Sequence, residues 1–190
     1  ESIHKLDDTL KEILDYSRNA RSNLNVVKVN IRKLIEDGFE RLKYLEGSEQ
    51  LIKDIDVDDT VPFYSDAYRL TVIFNNLISN AIKYRDMNKD KCFIEINVRI
   101  TSSNAIIHFR DNGIGISKEY LHKIFDMFFR ATDRSEGAGL GLYIVRETIE
   151  KLNGTIKVNS TPFEGTFFEL DIPNYQKLQS IPETMDAMNE

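Results

Sequence analysis

The sequence predicts an α+β fold in which helices layer against a sheet of mostly hairpin-linked strands. Three observations predict it. Segments with apolar residues at steps of three and four are interleaved with segments that alternate residue by residue. The alternating segments fall largely in neighbouring pairs separated by short polar turns, which favours hairpins over a doubly wound parallel sheet. The two glycine-rich stretches, 111–115 and 137–142, fit neither the strand–GxGxxG–helix pattern of a dinucleotide fold nor the GxxxxGK[ST] of a P-loop.

Each element follows from its own pattern. Residues 3–21 read as a helix with a narrow seam of Ile3, Leu6, Leu10, Ile13 and Ser17. A lone helix of this length is marginal in water, so the seam calls for another helix, in the same domain or a second chain. Residues 24–29 are short and β-branched, a candidate strand. Asn30 suits the N-cap of a helix over 31–45 whose core face holds Ile31, Leu34, Ile35, Phe39 and Leu42, with Gly47 as its stop. Residues 51–57 read as a strand and 58–62 as a turn.

Ser65 or Asp66 then caps a helix running to about residue 85, with Leu70, Ile73, Phe74, Leu77, Ile78 and Ala81 on a wide apolar face. A polar loop at 86–91 leads to a hairpin of 93–101 and 105–110 across Ser102-Ser103-Asn104. After the Gly113/Gly115 turn, Ser117 caps a short helix at 118–125. Residues 130–139 form a polar, glycine-bearing loop, and 140–152 a helix ended by Asn153-Gly154. A last hairpin pairs 155–160 with 165–172. Residues after Pro173 lack periodicity and are expected to fray. The chain thus divides into a helix (1–22), a domain (23–175) and a tail (176–190).

Composition narrows the class. A chain of 190 residues suits one compact domain plus an appendage, and 41% hydrophobic residues supply a core. No apolar run approaches the roughly 20 residues that span a bilayer, and no signal-peptide pattern opens the chain. It begins at Glu1 rather than Met, which reads as an excised or processed fragment. The expected setting is a cytoplasmic domain, with an inner-membrane anchor in a longer parent left open. Cys92 is the one cysteine, so there is no intramolecular disulfide and no Cys-rich metal site. The net charge of -6 argues against nucleic acid as a partner.

Three motifs carry the chemistry. In Asn76-Leu77-Ile78-Ser79-Asn80-Ala81-Ile82-Lys83-Tyr84, positions 76, 80, 83 and 84 share one helical face, opposite the apolar one. That face is either a solvated surface or a functional one. Amide oxygens suit Mg²⁺, Lys83 offers charge to a phosphate, and Tyr84 offers a ring to a purine. In Asp111-Asn112-Gly113-Ile114-Gly115, a tight turn accounts for the glycines. It does not account for Asp111, a carboxylate ending an apolar run, which needs a partner. Adenine's N6 amine is such a partner, and guanine's O6 is not. In Gly137-Ala138-Gly139-Leu140-Gly141-Leu142, the glycines open a helix whose free N–H groups and dipole favour an anion. Between these motifs, Phe125, Phe128 and Phe129 read as core, with Arg130 and Arg134 as candidate phosphate cations.

Taken in order, 76–84, 111–115, 125–128 and 137–142 resemble the N box, first glycine box, F box and second glycine box of the ATP-binding catalytic domain of sensor histidine kinases. That family sits in the superfamily shared with type II topoisomerases, Hsp90 and mismatch-repair ATPases. The resemblance covers about residues 25–173. It implies a two-layer α/β sandwich with a mobile ATP lid between the F box and the second glycine box. It implies ATP and Mg²⁺ as ligands, with Mg²⁺ on Asn80 supported by Asn76, Lys83 on phosphate, Tyr84 stacked on adenine and Asp111 contacting it. Gly113, Gly115, Ile116, Phe128, Gly137, Gly139, Leu140, Gly141 and Leu142 complete the implied nucleotide site, and Asn76, Lys83 and Arg130 its catalytic set.

The superfamily's ATP hydrolases carry a water-activating glutamate where this chain has Asn76. An amide cannot act as a base, which favours phosphoryl transfer to a protein. Residues 1–21 look like the second helix of a dimerisation and phosphoacceptor hairpin, which implies a homodimer and a response regulator as partners. The helix bearing the acceptor histidine is absent from this chain. His4 is followed by Lys5 and Leu6 and lacks the acceptor context, and His108 and His122 read as ordinary. Two alternatives stand beside the histidine kinase: a serine kinase of the anti-sigma type, against which the Ile3–Leu14 seam argues, and a nucleotide-binding scaffold without transfer.

Overall fold

The structure is a computed structural model that describes residues 23–131 and 138–176. The seamed helix at 3–21, Arg134, Gly137, most of the lid and the tail beyond 176 lie outside the described residues. In chain order the elements are strand β1 (Val27–Val29), helix α1 (Ile31–Arg41), strands β2 (Leu51–Asp58) and β3 (Phe63–Ser65), and helix α2 (Ala67–Lys83). Strands β4 (Cys92–Ile100) and β5 (Asn104–Asp111), helix α3 (Gly141–Lys151) and strands β6 (Thr155–Thr161) and β7 (Gly165–Pro173) complete them.

One five-stranded sheet has the order β2-β4-β5-β7-β6. The β4–β5, β5–β7 and β7–β6 pairs are antiparallel. β2 departs from the hairpin expectation and runs parallel to β4. A parallel neighbour needs a crossover, and here β3 and α2 make it. The one strand not foreseen is β3, which pairs antiparallel with β1 in a ribbon of its own.

Alternation decides which face of the sheet is covered. Ile94, Ile96, Val98 and Ile100 of β4 are buried, as are Ala105, Ile107 and Phe109 of β5 and Phe168, Leu170 and Ile172 of β7. Against them lie Leu70, Ile73, Phe74, Leu77, Ile78 and Ala81 of α2. α2 is central to the helical layer, flanked by α1 and α3. The mixed helix-and-sheet architecture is thus that of a two-layer α+β domain.

The helix ends follow the capping chemistry of the sequence. The Asn30 side chain accepts from Lys33 N, and that of Asp66 accepts from Arg69 N. Asp66 is also paired with the Arg69 guanidinium, both side chains almost fully buried, and accepts from Asn25 N at 3.0 Å. α1 stops at Arg41, short of the expected 45, and continues as turns before a 3₁₀ segment at Ser48–Gln50. The expected helix at 118–125 is not formed. Successive turns replace it, with bonds such as Tyr120 N to Ser117 O at 2.9 Å and Lys123 N to Tyr120 O at 2.8 Å. Ile124 is the one buried apolar side chain there, with Tyr120 and Phe125 only partly buried against the core, and the short segment closes in turns instead.

Two side chains close off the sheet. On the edge strand β2, the Arg32 guanidinium of α1 donates to Ile55 O at 3.2 Å and Val57 O at 3.5 Å. Beyond β7, Asn174 is buried rather than frayed. Its Nδ2 donates to Pro62 O (2.9 Å) and Thr101 O (2.8 Å), and its Oδ1 accepts from Tyr64 N (3.0 Å). The next residue, Tyr175, donates its hydroxyl to Leu152 O at 2.8 Å. Asn174→Ala leaves three half-buried backbone groups unpaired and should lower unfolding free energy by about 2–4 kcal/mol in urea titrations. Exposed Asn159→Ala should change it by less than about 0.5 kcal/mol.

Candidate functional site

α2 has to satisfy two environments. Its apolar stripe faces the sheet, and its amide-bearing side lines a cavity of about 150 Å³ with Asn76, Ser79, Asn80, Lys83 and Tyr84. Asn76 is held in a defined orientation: its Nδ2 donates to Val72 O, one turn back, at 2.8 Å. The amide oxygen is left as the group that can face a ligand. Across from it stands the first residue of α3. A Cβ on Gly141 would lie 3.0 Å from Asn76 Oδ1 and 3.7 Å from the Asn80 amide atoms. An alanine there would press on Asn76 and meet Asn80 at ordinary contact distance.

Asp111 ends β5 and lines the same cavity, paired in register with Ile94 on one side and Thr166 on the other. Its Oδ1 accepts from Gly113 N at 2.8 Å. Burial raises the carboxyl to about 6, against the backbone N–H groups of Gly113 and Thr166 and the charge of Lys89, which pull it down. The turn that follows is threaded between two backbones. Ile114 N donates to Tyr84 O at 2.9 Å, and Ile114 O accepts from Phe163 N at 2.7 Å. Ile116 N donates to Ser160 Oγ at 2.9 Å. Gly115 has a φ of +67° and would put a Cβ 2.1 Å from Thr161 O, so the turn itself requires glycine there.

The cavity brings together Asn76, Asn80, Lys83, Tyr84, Asp111, Gly115, Ile116, Arg130, Gly139, Gly141 and Leu142. Three other candidates stand apart from it. Gly113 is buried beneath Tyr84 O, Leu140 packs with Val72 and Ile144, and Phe128 is 64% exposed in a left-handed backbone with φ 64°. The phenylalanine expected in the core thus faces out, while Phe129 lines the cavity and packs against Tyr120 with the rings tilted 52°. Reading the sequence missed Phe129 and Thr166. Thr166 had a signal: it is a polar residue in the buried alternation continued by Phe168, Leu170 and Ile172. His108 lies away from the cavity, its Nε2 3.4 Å from Glu169 Oε2. Among the described residues no group of three or more His, Cys, Asp or Glu side chains could hold a metal.

A helix bearing amides, a half-buried carboxylate and glycine turns around one cavity on an α+β sandwich define a nucleotide-binding ATPase domain. Residues 65–176, more than half the chain, match the family described as histidine kinase-, DNA gyrase B- and HSP90-like ATPase, and the chain belongs to that family in its histidine-kinase branch. It is 30% identical over 193 residues to the sensor-like histidine kinase SenX3 of Mycolicibacterium smegmatis, covering 98% of this chain and 50% of SenX3. It is 31% identical over 198 residues to the sensor histidine kinase AtsR of Burkholderia thailandensis, covering all of this chain and 32% of AtsR. The chain therefore spans half or less of the length of these relatives. Among solved structures, the Acinetobacter baumannii histidine kinase AdeS superposes with a TM-score of 0.73 at 23% identity over 91% of this chain and 80% of AdeS. The catalytic domain of histidine kinase ThkA gives 0.66 at 23% identity over 79% and 98%. The full-length kinase ShkA, solved with AMPPNP, gives 0.71 at 22% identity over 87% and 35%. These three share the fold.

The raised carboxyl of Asp111 has a thermodynamic consequence. Its folded-state value lies above the ordinary 3.8, so its stabilising contribution is complete below about pH 4 and is lost as pH rises through about 6. Asp111→Asn removes that penalty. Thermal melts should show the variant more stable than wild type at pH 7, by about 1–2 kcal/mol after allowance for partial exposure, and near wild type below pH 4. Equal shifts at both pH values would contradict the assignment.

Proposed function

We propose that this domain binds Mg-ATP in the cavity and delivers the γ-phosphate to a histidine on a separate helical segment, for relay to a response regulator. The observation that carries the reading is the convergence of the Asp111 carboxylate and the Asn76/Asn80 amide pair on one cavity. The carboxylate accepts from adenine N6. Tyr84 and Ile116 flank the purine, Lys83 and Arg130 face the phosphates, and Gly139, Gly141 and Leu142 bring backbone close to them. Residues 23–175 form the catalytic domain, and 1–22 belong to the helical hairpin that pairs two copies. The domain is read as cytoplasmic, with an inner-membrane anchor in a longer parent left open; among the described residues no helix is long and apolar enough to cross a membrane.

The metal fits this donor set. Mg²⁺ binds few protein oxygens and completes its shell with phosphate and water, so two amide oxygens suit it where an acidic cluster would not be needed. When bound, it supplies charge neutralisation at the phosphates. The chain's own contribution is to position the nucleotide and place cations along it. Asn76, with its nitrogen committed to Val72 O, has no basic group with which to activate water. That favours transfer to an acceptor brought from elsewhere, whose own segment supplies the base.

Calorimetry tests the binding half. Asn80→Ala should weaken Mg²⁺-dependent ATP binding by about 10–100-fold, and unchanged affinity would remove the metal assignment. Asp111→Asn should erase the preference for ATP over GTP; a retained preference would count against the adenine contact. For the transfer half, incubation of the intact protein with γ-labelled ATP should give acid-labile, alkali-stable label. Acid-stable label would point to a serine acceptor instead.

A further inference from the structure

Lys89 lies outside the cavity lining but is tied to the turn behind Asp111. Its Nζ donates to Asn112 O at 2.7 Å and to Phe163 O, at the tip of the β6–β7 hairpin, also at 2.7 Å. The loop that carries it is built for this. Asp86 is buried, and its Oδ1 accepts from Asn88 N (3.0 Å) and Asn88 Nδ2 (3.1 Å), while Lys89 N donates to Asp86 O at 3.1 Å. Asn112 is anchored in turn: Oδ1 accepts from Phe93 N and Nδ2 donates to Lys91 O, each at 2.8 Å. One ammonium therefore clasps the residue after Asp111 to the hairpin that also holds Ile114.

We infer that Lys89 is a positioning residue for base recognition: its ammonium pins the turn that carries Asp111, the residue read as accepting from adenine N6, and turns a positive charge toward that turn. The inference rests on the reading of Asp111 as the adenine contact. Among the charged side chains described, Lys89 is the one whose charge acts against the burial of Asp111. The other ionisable groups of the surrounding elements are Asp86, Asp90 and Lys91 on the same loop, Arg110 on β5, Glu164 on the hairpin, and Lys83, Tyr84 and Arg130 around the cavity. Arg110 turns to the other side of β5, its guanidinium 5.6 Å from the centre of the Phe93 ring.

A purely structural clasp and a charge-setting one differ in their pH dependence. Without the Lys89 charge, Asp111 holds its proton to higher pH, and ATP must displace it. The affinity loss should then grow as pH falls, because the penalty applies where the carboxyl is protonated. Calorimetric affinities for ATP and GTP are to be measured from about pH 5 to about pH 8.5 for wild type, Lys89→Met, Lys89→Gln, Lys89→Arg and Asp111→Asn. The ratio of variant to wild-type Kd cancels the titration of ATP itself. For Lys89→Met it should be at least about twofold larger at the acid end than at the alkaline end. Lys89→Gln, which can still donate to a carbonyl but carries no charge, should give the same slope, and it serves where the methionine variant does not fold. Lys89→Arg should restore the wild-type profile. A ratio that is flat with pH, whatever its size, would overturn the inference and leave Lys89 as scaffolding. If Asp111→Asn keeps the preference for ATP over GTP, the adenine reading itself fails, and the inference fails with it.

Discussion

The hydrogen bond from Ile114 N to Tyr84 O, 2.9 Å long, is the contact on which the geometry of the site depends. It joins the last turn of α2 to the turn after β5. The two segments come so close that a Cβ on Gly113 would lie 2.4 Å from that carbonyl. Phe163 N bonds the far side of the same residue at 2.7 Å. Three backbones are thereby stacked: a helix end, a loop and a hairpin tip. Because α2 ends there, its amide-bearing side and the Asp111 carboxylate open onto the same cavity. That bond fixes how close the two motifs stand, which packing of the core alone would leave less sharply set.

Much of this was legible in the residues, for identifiable reasons. α2 announces itself through a capping aspartate and a broad apolar stripe, and β4, β5 and β7 through alternation along most of their length. Asp111 drew attention because a carboxylate closing an apolar strand has to be explained. What escaped notice was information that does not lie along the chain. β3 is three residues long and cannot show a period, and the parallel pairing of β2 with β4 is decided by where α2 leaves the chain. The segment after Ser117 has helix-compatible residues but closes in turns, and Phe128 points outward because its φ is positive. Thr166 matters only through its register with Asp111, which is a fact about two strands.

The site also shows local stability yielding to function. A carboxylate raised to about 6 is poorly solvated, and an amide would sit there more comfortably. On the proposed reading of Asp111, the same poor solvation would make its hydrogen bond to a base edge more discriminating, because an unmatched group is not rescued by water. At Asn76 the balance runs the other way. Its nitrogen is satisfied internally, so the side chain is fixed in place without any charge being buried. The two ends of the chemistry are thus prepared differently, one by desolvation and one by an internal tether.

Arg32 carries a consequence of another kind. A sheet edge is a template on which a second chain can add a strand, and β2 is such an edge. The guanidinium laid along Ile55 O and Val57 O occupies the acceptors that an incoming strand would use. Asp54, Asp56 and Asp58 add like charges along the same strand. The β2 margin is therefore self-terminated along its last acceptors: a strand arriving there would meet a guanidinium in place of free carbonyls.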